Sequence, residues 1–146
     1  MARVILGDKS HASLIASIEA CTFTHPQSEG SLTEFFASER NFAVLCFEGD
    51  ELASYCTVTT VLDEAQIINV ATSERYKRRG CAHMVMARVL AECEKRGIAS
   101  VSLEVRESNT PAISLYEKLG FLTAGKRRDF YRDPRENALV MIKNSD

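Results

Sequence analysis

The stretch RYKRRGCAHM, Arg75 to Met84, sets Lys77, Arg78 and Arg79 immediately before Gly80 and an apolar-patterned segment that opens at Cys81. The N–H groups of a helix's first turn have no intrahelical acceptor, and the helix dipole places positive potential there, so the combination suits an anion. Gly80 lets a ligand approach the backbone, Ala82 is small enough to keep that approach open, and His83 falls in the same turn. Cations at a helix N-terminus are disfavoured by roughly 0.3–1 kcal/mol each, which argues for an anionic partner such as phosphate. The competing reading is a solvated basic loop ahead of a surface helix. The spacing is neither that of a Walker loop nor that of a dinucleotide fingerprint.

Two further residues can move protons. Glu104 stands inside SVSLEVR, where Val101, Leu103 and Val105 alternate with Ser102, Glu104 and Arg106. By alternation alone it belongs to a solvated strand face. Tyr116 stands in NTPAISLYEKLGF, where Ile113, Leu115 and Leu119 give the ring an ordinary packing role as an alternative.

The elements that must carry these groups follow from pattern. ARVILGD predicts a first strand, with Asp8 or Ser10 capping a helix over His11 to Cys21. THPQSEGS reads as loop, and Ser31 with Glu34 as the capping box of a second short helix. NFAVLCFEGDELASYCTVTTV predicts two strands joined at Glu48 to Glu51, VLDEA a second turn, and Gln66 to Thr72 a strand. Ala82, Val85, Met86, Val89, Leu90 and Cys93 share one helical face, predicting a helix from Cys81 to Arg96 that Gly97 ends. Thr110 as cap and Pro111 at the first position predict a helix to Leu119. FLTAGKRRDFY and NALVMIK close the chain as strands. The order implies an α/β or α+β sheet with helices on both faces.

At 146 residues, 45% apolar and 26% charged, the chain has the composition of one soluble globular domain. A net charge of −2 argues against a general nucleic-acid binder. No signal peptide or membrane span is visible, so a cytoplasmic protein without a membrane partner is expected. Cys21, Cys46, Cys56, Cys81 and Cys93 are odd in number and scattered, as are His11, His25 and His83, which favours reduced thiols and no metal site.

Lys77 to Ala82, basic-x-x-Gly-x-Ala, resembles the pyrophosphate loop of the GNAT N-acetyltransferases, [Q/R]-x-x-G-x-[G/A]. Asn109 to Phe121 is similar to that family's N-x-x-A-x-x-L-Y-x-x-x-G-F segment at every defined position. VLDEAQIINVAT, AECEKRGIASVSLEVRESNTPAISLYEKLGF and RRDFYRDPRENALVMI are similar to its ribosomal-protein alanine N-acetyltransferases, from about Cys46 to Ile142. The resemblance implies a GNAT fold, a mixed and largely antiparallel sheet of about seven strands. It implies acetyl-CoA as cosubstrate and the N-terminus of a ribosomal protein as acceptor. It also implies Glu104 as base, directly or through water, and Tyr116 as acid, with direct transfer in a ternary complex and no role for Cys81 as nucleophile. Val70, Ala71 and Thr72 would offer backbone groups to the pantetheine arm. Lys77, Arg78, Arg79, Gly80, Cys81, Ala82 and His83 would hold the pyrophosphate, and Asn109 would hydrogen-bond the cofactor. THPQSEGS departs from the subfamily's Pro-Trp-Ser element, and the chain has no tryptophan. Acetylation of lysine or a small amine, a CoA-binding module without catalysis, and an RNA-binding role for the basic loop are the rival readings.

Overall fold

The computed structural model describes residues 2–145. Seven strands form one sheet in the order β1-β2-β3-β4-β5-β7-β6. The first four are β1 (Ala2–Leu6), β2 (Asn41–Glu48), β3 (Glu51–Val61) and β4 (Glu64–Thr72). The last three are β5 (Ser100–Arg106), β6 (Leu122–Arg132) and β7 (Arg135–Asn144). Among the described residues β4 and β5 run parallel, and every other neighbouring pair is antiparallel.

The middle of β2 and β3 is buried without interruption, because helices cover both faces of the sheet there. On one face α1 (Ala12–Thr22) and α2 (Glu29–Phe36) pack Ile15 and Leu32 against Ala43, Leu45 and Tyr55. On the other, α3 (Cys81–Lys95) and α4 (Thr110–Lys118) bring Val85, Met86, Val89 and Tyr116 onto Val44, Val58, Leu103 and Val105. The turn joining β2 to β3 falls where expected, with Gly49 at φ +60°.

Helix starts differ from the sequence reading. Asp8 caps a short 3-10 turn over Lys9–His11, accepting from Ser10 N–H at 2.8 Å, and α1 follows from Ala12. Ser28, not Ser31, caps α2: its Oγ accepts from Ser31 N–H at 3.1 Å, and Glu29 then sits in the first turn, where the dipole favours it. Asn109, not Thr110, caps α4, its Oδ1 accepting from Ala112 N–H at 3.3 Å. In each case a side-chain oxygen two or three residues ahead of a free N–H takes the cap.

Phe121 follows α4, is fully buried, and meets the Tyr116 ring edge-on with centroids 5.9 Å apart. Phe121→Ala is expected to cost about 3–5 kcal/mol of stability, measured as a fall in denaturant midpoint at unchanged m-value.

Candidate active site

The parallel pair determines where a ligand can enter. β4 and β5 pair only through Glu64–Gln66 and Ser100–Ser102, and the strands part beyond that. A bulge helps to separate them: Thr57 pairs with Asn69 but Val58 with Ile67, leaving Ile68 as an extra residue that bends β4. The parting opens a groove of about 850 Å³, lined among others by Asn69, Val70, Glu104, Asn109, Tyr116 and Tyr131.

The backbone of β4 faces this opening in part. Ser73 N–H bonds to Ala53 O, so by ladder alternation Asn69, Ala71 and Ser73 turn their peptide groups to β3. Val70 and Thr72 turn theirs to the parted side. Ala71 therefore departs from the expectation that it serves a ligand through its backbone: its carbonyl accepts from Ser54 Oγ at 2.9 Å, and its side chain is buried on the α1 face.

Glu104 reaches the groove from β5 with its side chain 15% exposed, so it is not on a solvated face. Its Oε2 pairs with Arg127 Nε at 3.1 Å, and its Oε1 accepts from Gln66 Nε2 at 3.3 Å. Tyr116 is buried in the wall, and no hydrogen bond from another described residue reaches its hydroxyl. Burial, followed by the nearby Cys56 and Tyr131, pushes its phenol well above the ordinary range. At neutral pH it is a protonated donor facing the groove.

Asn109 lines the groove too, but its Oδ1 is occupied as the cap of α4, so its Nδ2 donors are what it can offer a ligand. Glu136 anchors this corner by accepting from Ser108 N–H at 2.6 Å and from Arg106 Nη1 at 3.2 Å. The Ser108 contacts, then Arg106, hold its carboxyl below the usual carboxylate range.

Lys77 to His83 do not line the groove; they follow β4 beyond a 3-10 turn over Glu74–Tyr76. Arg78 (φ +66°) and Gly80 (φ +79°) both take left-handed backbone, folding the loop tightly into α3. The helix's first internal bond is Met84 N–H to Gly80 O at 3.1 Å, and no side chain caps the turn before it. The N–H groups of Cys81, Ala82 and His83 are thus left for an external anion. A Cβ on Gly80 would meet nothing within 4 Å, so the space beside the turn at Gly80 is open. The basic side chains are less free than the sequence suggests. Lys77 pairs with Glu74 at 2.9 Å and Arg75 with Glu51 at 2.7 Å, while Arg75 and Arg79 lie over the ring of buried Tyr76 at 5.5 and 5.4 Å. The Cys81 thiol is buried among Cys46 and its neighbours, leaving only its N–H to serve the loop.

Several groove residues escape sequence reasoning. Tyr131 comes from β6, which slips register against β7 between Arg127, the ion-pair partner of Glu104, and Tyr131 itself. The slip holds Asp129 at φ +51°, its N–H bonded to Asn137 Oδ1 at 2.9 Å. Thr24 and His25 also line the groove, and they join its far rim: Thr24 Oγ1 donates to Asp133 O at 3.2 Å, and His25 Nε2 lies 2.8 Å from Asp133 Oδ2. Among the described residues no group of three or more His, Cys, Asp or Glu is placed to hold a metal, and no helix is long and apolar enough to cross a membrane.

Residues 13–121 match the acetyltransferase (GNAT) family. The chain is 39% identical over 129 residues to the [ribosomal protein bS18]-alanine N-acetyltransferase of Escherichia coli (strain K12), covering 85% of this chain and 84% of that one. It is 34% identical over 143 residues to the protein of that name in Haemophilus influenzae, covering 88% and 97%. The crystal structure of the ribosomal-protein-S18-alanine N-acetyltransferase from Escherichia coli superposes with a TM-score of 0.91 at 33% identity, over 99% of this chain and 94% of that one.

Proposed function

This chain belongs to the acetyltransferase (GNAT) family, and we propose that it transfers the acetyl group of acetyl-CoA to the N-terminal amine of an alanine-led ribosomal protein. The observation that carries the reading is one groove, opened by the parting of β4 and β5, that holds both a carboxylate and a buried neutral phenol. The relatives named for this acceptor, matched over most of their length, support its identity.

In this reading Val70 and Thr72 hydrogen-bond the pantetheine arm through the peptide groups that β5 does not use, extending the sheet with ligand. The first-turn N–H groups of α3 take the pyrophosphate, with Arg78 and its neighbours adding charge, and Asn109 donates to the cofactor through Nδ2. The thioester carbonyl then lies at the parting of the strands. The acceptor nitrogen attacks that carbon, an amide C–N bond forms and the C–S bond breaks. Glu104 takes the proton lost by nitrogen, directly or through water, and Tyr116 gives one to the departing thiolate. An α-amine, with an ordinary pKa near ~8, is partly neutral at physiological pH, so a carboxylate base is sufficient. A lysine acceptor near ~10.4 asks for a further ~2–3 units.

The test offers acetyl-CoA with two peptides, one with a free N-terminal alanine and one with a blocked N-terminus and internal lysines. Mass spectrometry is expected to find acetyl on the first at its α-nitrogen and none on the second. Modification of the second alone would overturn the proposed acceptor.

A further inference from the structure

Glu19 is a carboxylate without a role in the scheme above, yet it is 1% exposed in α1. A buried carboxylate is costly unless its lone pairs are satisfied, and this one receives three donors. Tyr55 OH donates to its Oε2, Asn69 Nδ2 donates to the same oxygen at 2.9 Å, and Gln27 N–H donates to Oε1 at 3.0 Å. These donors come from β3, from β4 beside its bulge, and from the segment that leads into α2. The carboxylate therefore ties the acceptor rim of the groove to the sheet.

The consequence falls on Asn69. With Nδ2 donating to Glu19, the amide turns its oxygen elsewhere. Asn69 N–H is already bonded to Thr57 Oγ1 at 3.3 Å, which fixes the backbone from which the side chain departs. The residue lines the groove with Glu104 and Tyr116, and no donor among the described residues reaches its Oδ1. An acceptor oxygen held in one orientation, in the same groove as the proposed base, suits a ligand that brings N–H groups.

We propose that Asn69 Oδ1 accepts a hydrogen bond from the leading N–H groups of the acceptor chain, and that Glu19 is the positioning residue that fixes this orientation. The proposal rests on the acetyltransferase reading of the groove. It adds a side-chain contact from β4 to the acceptor chain, separate from the backbone groups of Val70 and Thr72 assigned to the cofactor.

The experiment is steady-state kinetics of wild type, Asn69→Ala, Asn69→Ser, Glu19→Gln and the double variant Glu19→Gln/Asn69→Ala, with acetyl-CoA and the alanine-led peptide. Calorimetric CoA binding and thermal melting are measured on each. Loss of a hydrogen bond to the acceptor is expected to raise the peptide KM about tenfold in both Asn69 variants, with kcat changed less than about threefold and CoA affinity unchanged. Glu19→Gln frees the amide to turn its NH2 to the groove and is expected to raise the peptide KM about fivefold. The double variant should then be no worse than Asn69→Ala alone, since the two act through one contact. Fully additive effects, or a rise in KM for both substrates that tracks lost melting temperature, would assign Glu19 a structural role and overturn the positioning claim. Peptide KM values at the wild-type level in Asn69→Ala and Asn69→Ser would overturn the contact while leaving the acetyltransferase reading intact. A wild type that acetylates no free-amine peptide overturns both.

Discussion

Tyr116→Phe is expected to lower kcat at least a hundredfold while CoA still binds with near wild-type affinity. The substitution keeps the ring, so the edge-on contact with Phe121 and the packing of α4 persist, and only the hydroxyl is lost. That hydroxyl bonds to no other described residue, so its removal breaks no internal hydrogen bond and leaves a clean functional test. General acid catalysis contributes roughly 10²–10⁴ in rate, which sets the size of the loss. Burial holds the phenol protonated well beyond its ordinary pKa of about 10, so Tyr116 should impose no alkaline limb on kcat below pH ~10. The linked stability has the matching sign. Because the folded pKa is raised, the contribution is fully present below pH ~10 and fades as pH rises above it. Glu104→Gln, which keeps the side chain's shape and its neighbour Gln66 but discards the charge paired with Arg127, is expected to lower kcat by a similar factor. Stopped assays of CoA release at saturating acetyl-CoA measure both. Rates within twofold of wild type in the two variants would remove these residues from the proposed proton transfers.

The roles proposed for these two residues come from the family resemblance and not from pattern, whereas the elements that carry them are legible in the sequence. Glu104 keeps a clean alternation, on its polar side, and the strand that carries it is observed with Val101, Leu103 and Val105 buried as read. The long helix α3 begins at Cys81 as its apolar face requires. Both are local patterns of period 2 or 3.6. Caps were displaced by up to one turn because Ser, Thr and Asn are chemically interchangeable there until the free N–H they meet is known. Asn109 illustrates the cost: its oxygen caps α4, and half of the amide assigned to the cofactor is already in use. Glu19 reads as an ordinary helix-surface charge in SIEACT, and only its meeting with Tyr55 and Asn69, far along the chain, buries it. Tyr131 in the groove and Arg127 beside Glu104 lie on either side of a register slip of β6 against β7, which no property of KRRDFYR announces. Residues placed by non-local pairing carry no periodic signature, and the groove's acceptor side is built mostly from them.

The basic stretch before α3 supplies the other large effect, because charge and shape can be separated there. Gly80→Val is expected to weaken CoA binding at least thirtyfold, whereas Lys77→Gln should weaken it less than about threefold. At φ +79° a β-branched residue is strained by roughly 1–2 kcal/mol, and the valine side chain would fill open space at the turn that leads into the first N–H groups of α3. The substitution thus distorts the turn that presents the donors. Lys77, by contrast, is 54% exposed and paired with Glu74, in an arrangement worth roughly 0.2–1 kcal/mol at a surface. Its charge acts through solvent and is screened within about 8 Å at physiological salt, while in the proposed binding mode the helix N–H groups bond the phosphate oxygens directly. Gly80→Ala should fall between, since it brings the left-handed strain with little of the bulk. Calorimetry of CoA binding at low and high salt distinguishes the contributions: affinity lost in Lys77→Gln should shrink as salt rises, and affinity lost in Gly80→Val should not. Helicity by circular dichroism confirms that α3 remains formed in each variant. Equal losses from Lys77→Gln and Gly80→Val would mean that long-range charge, and not the left-handed turn with its bare N–H groups, holds the phosphates.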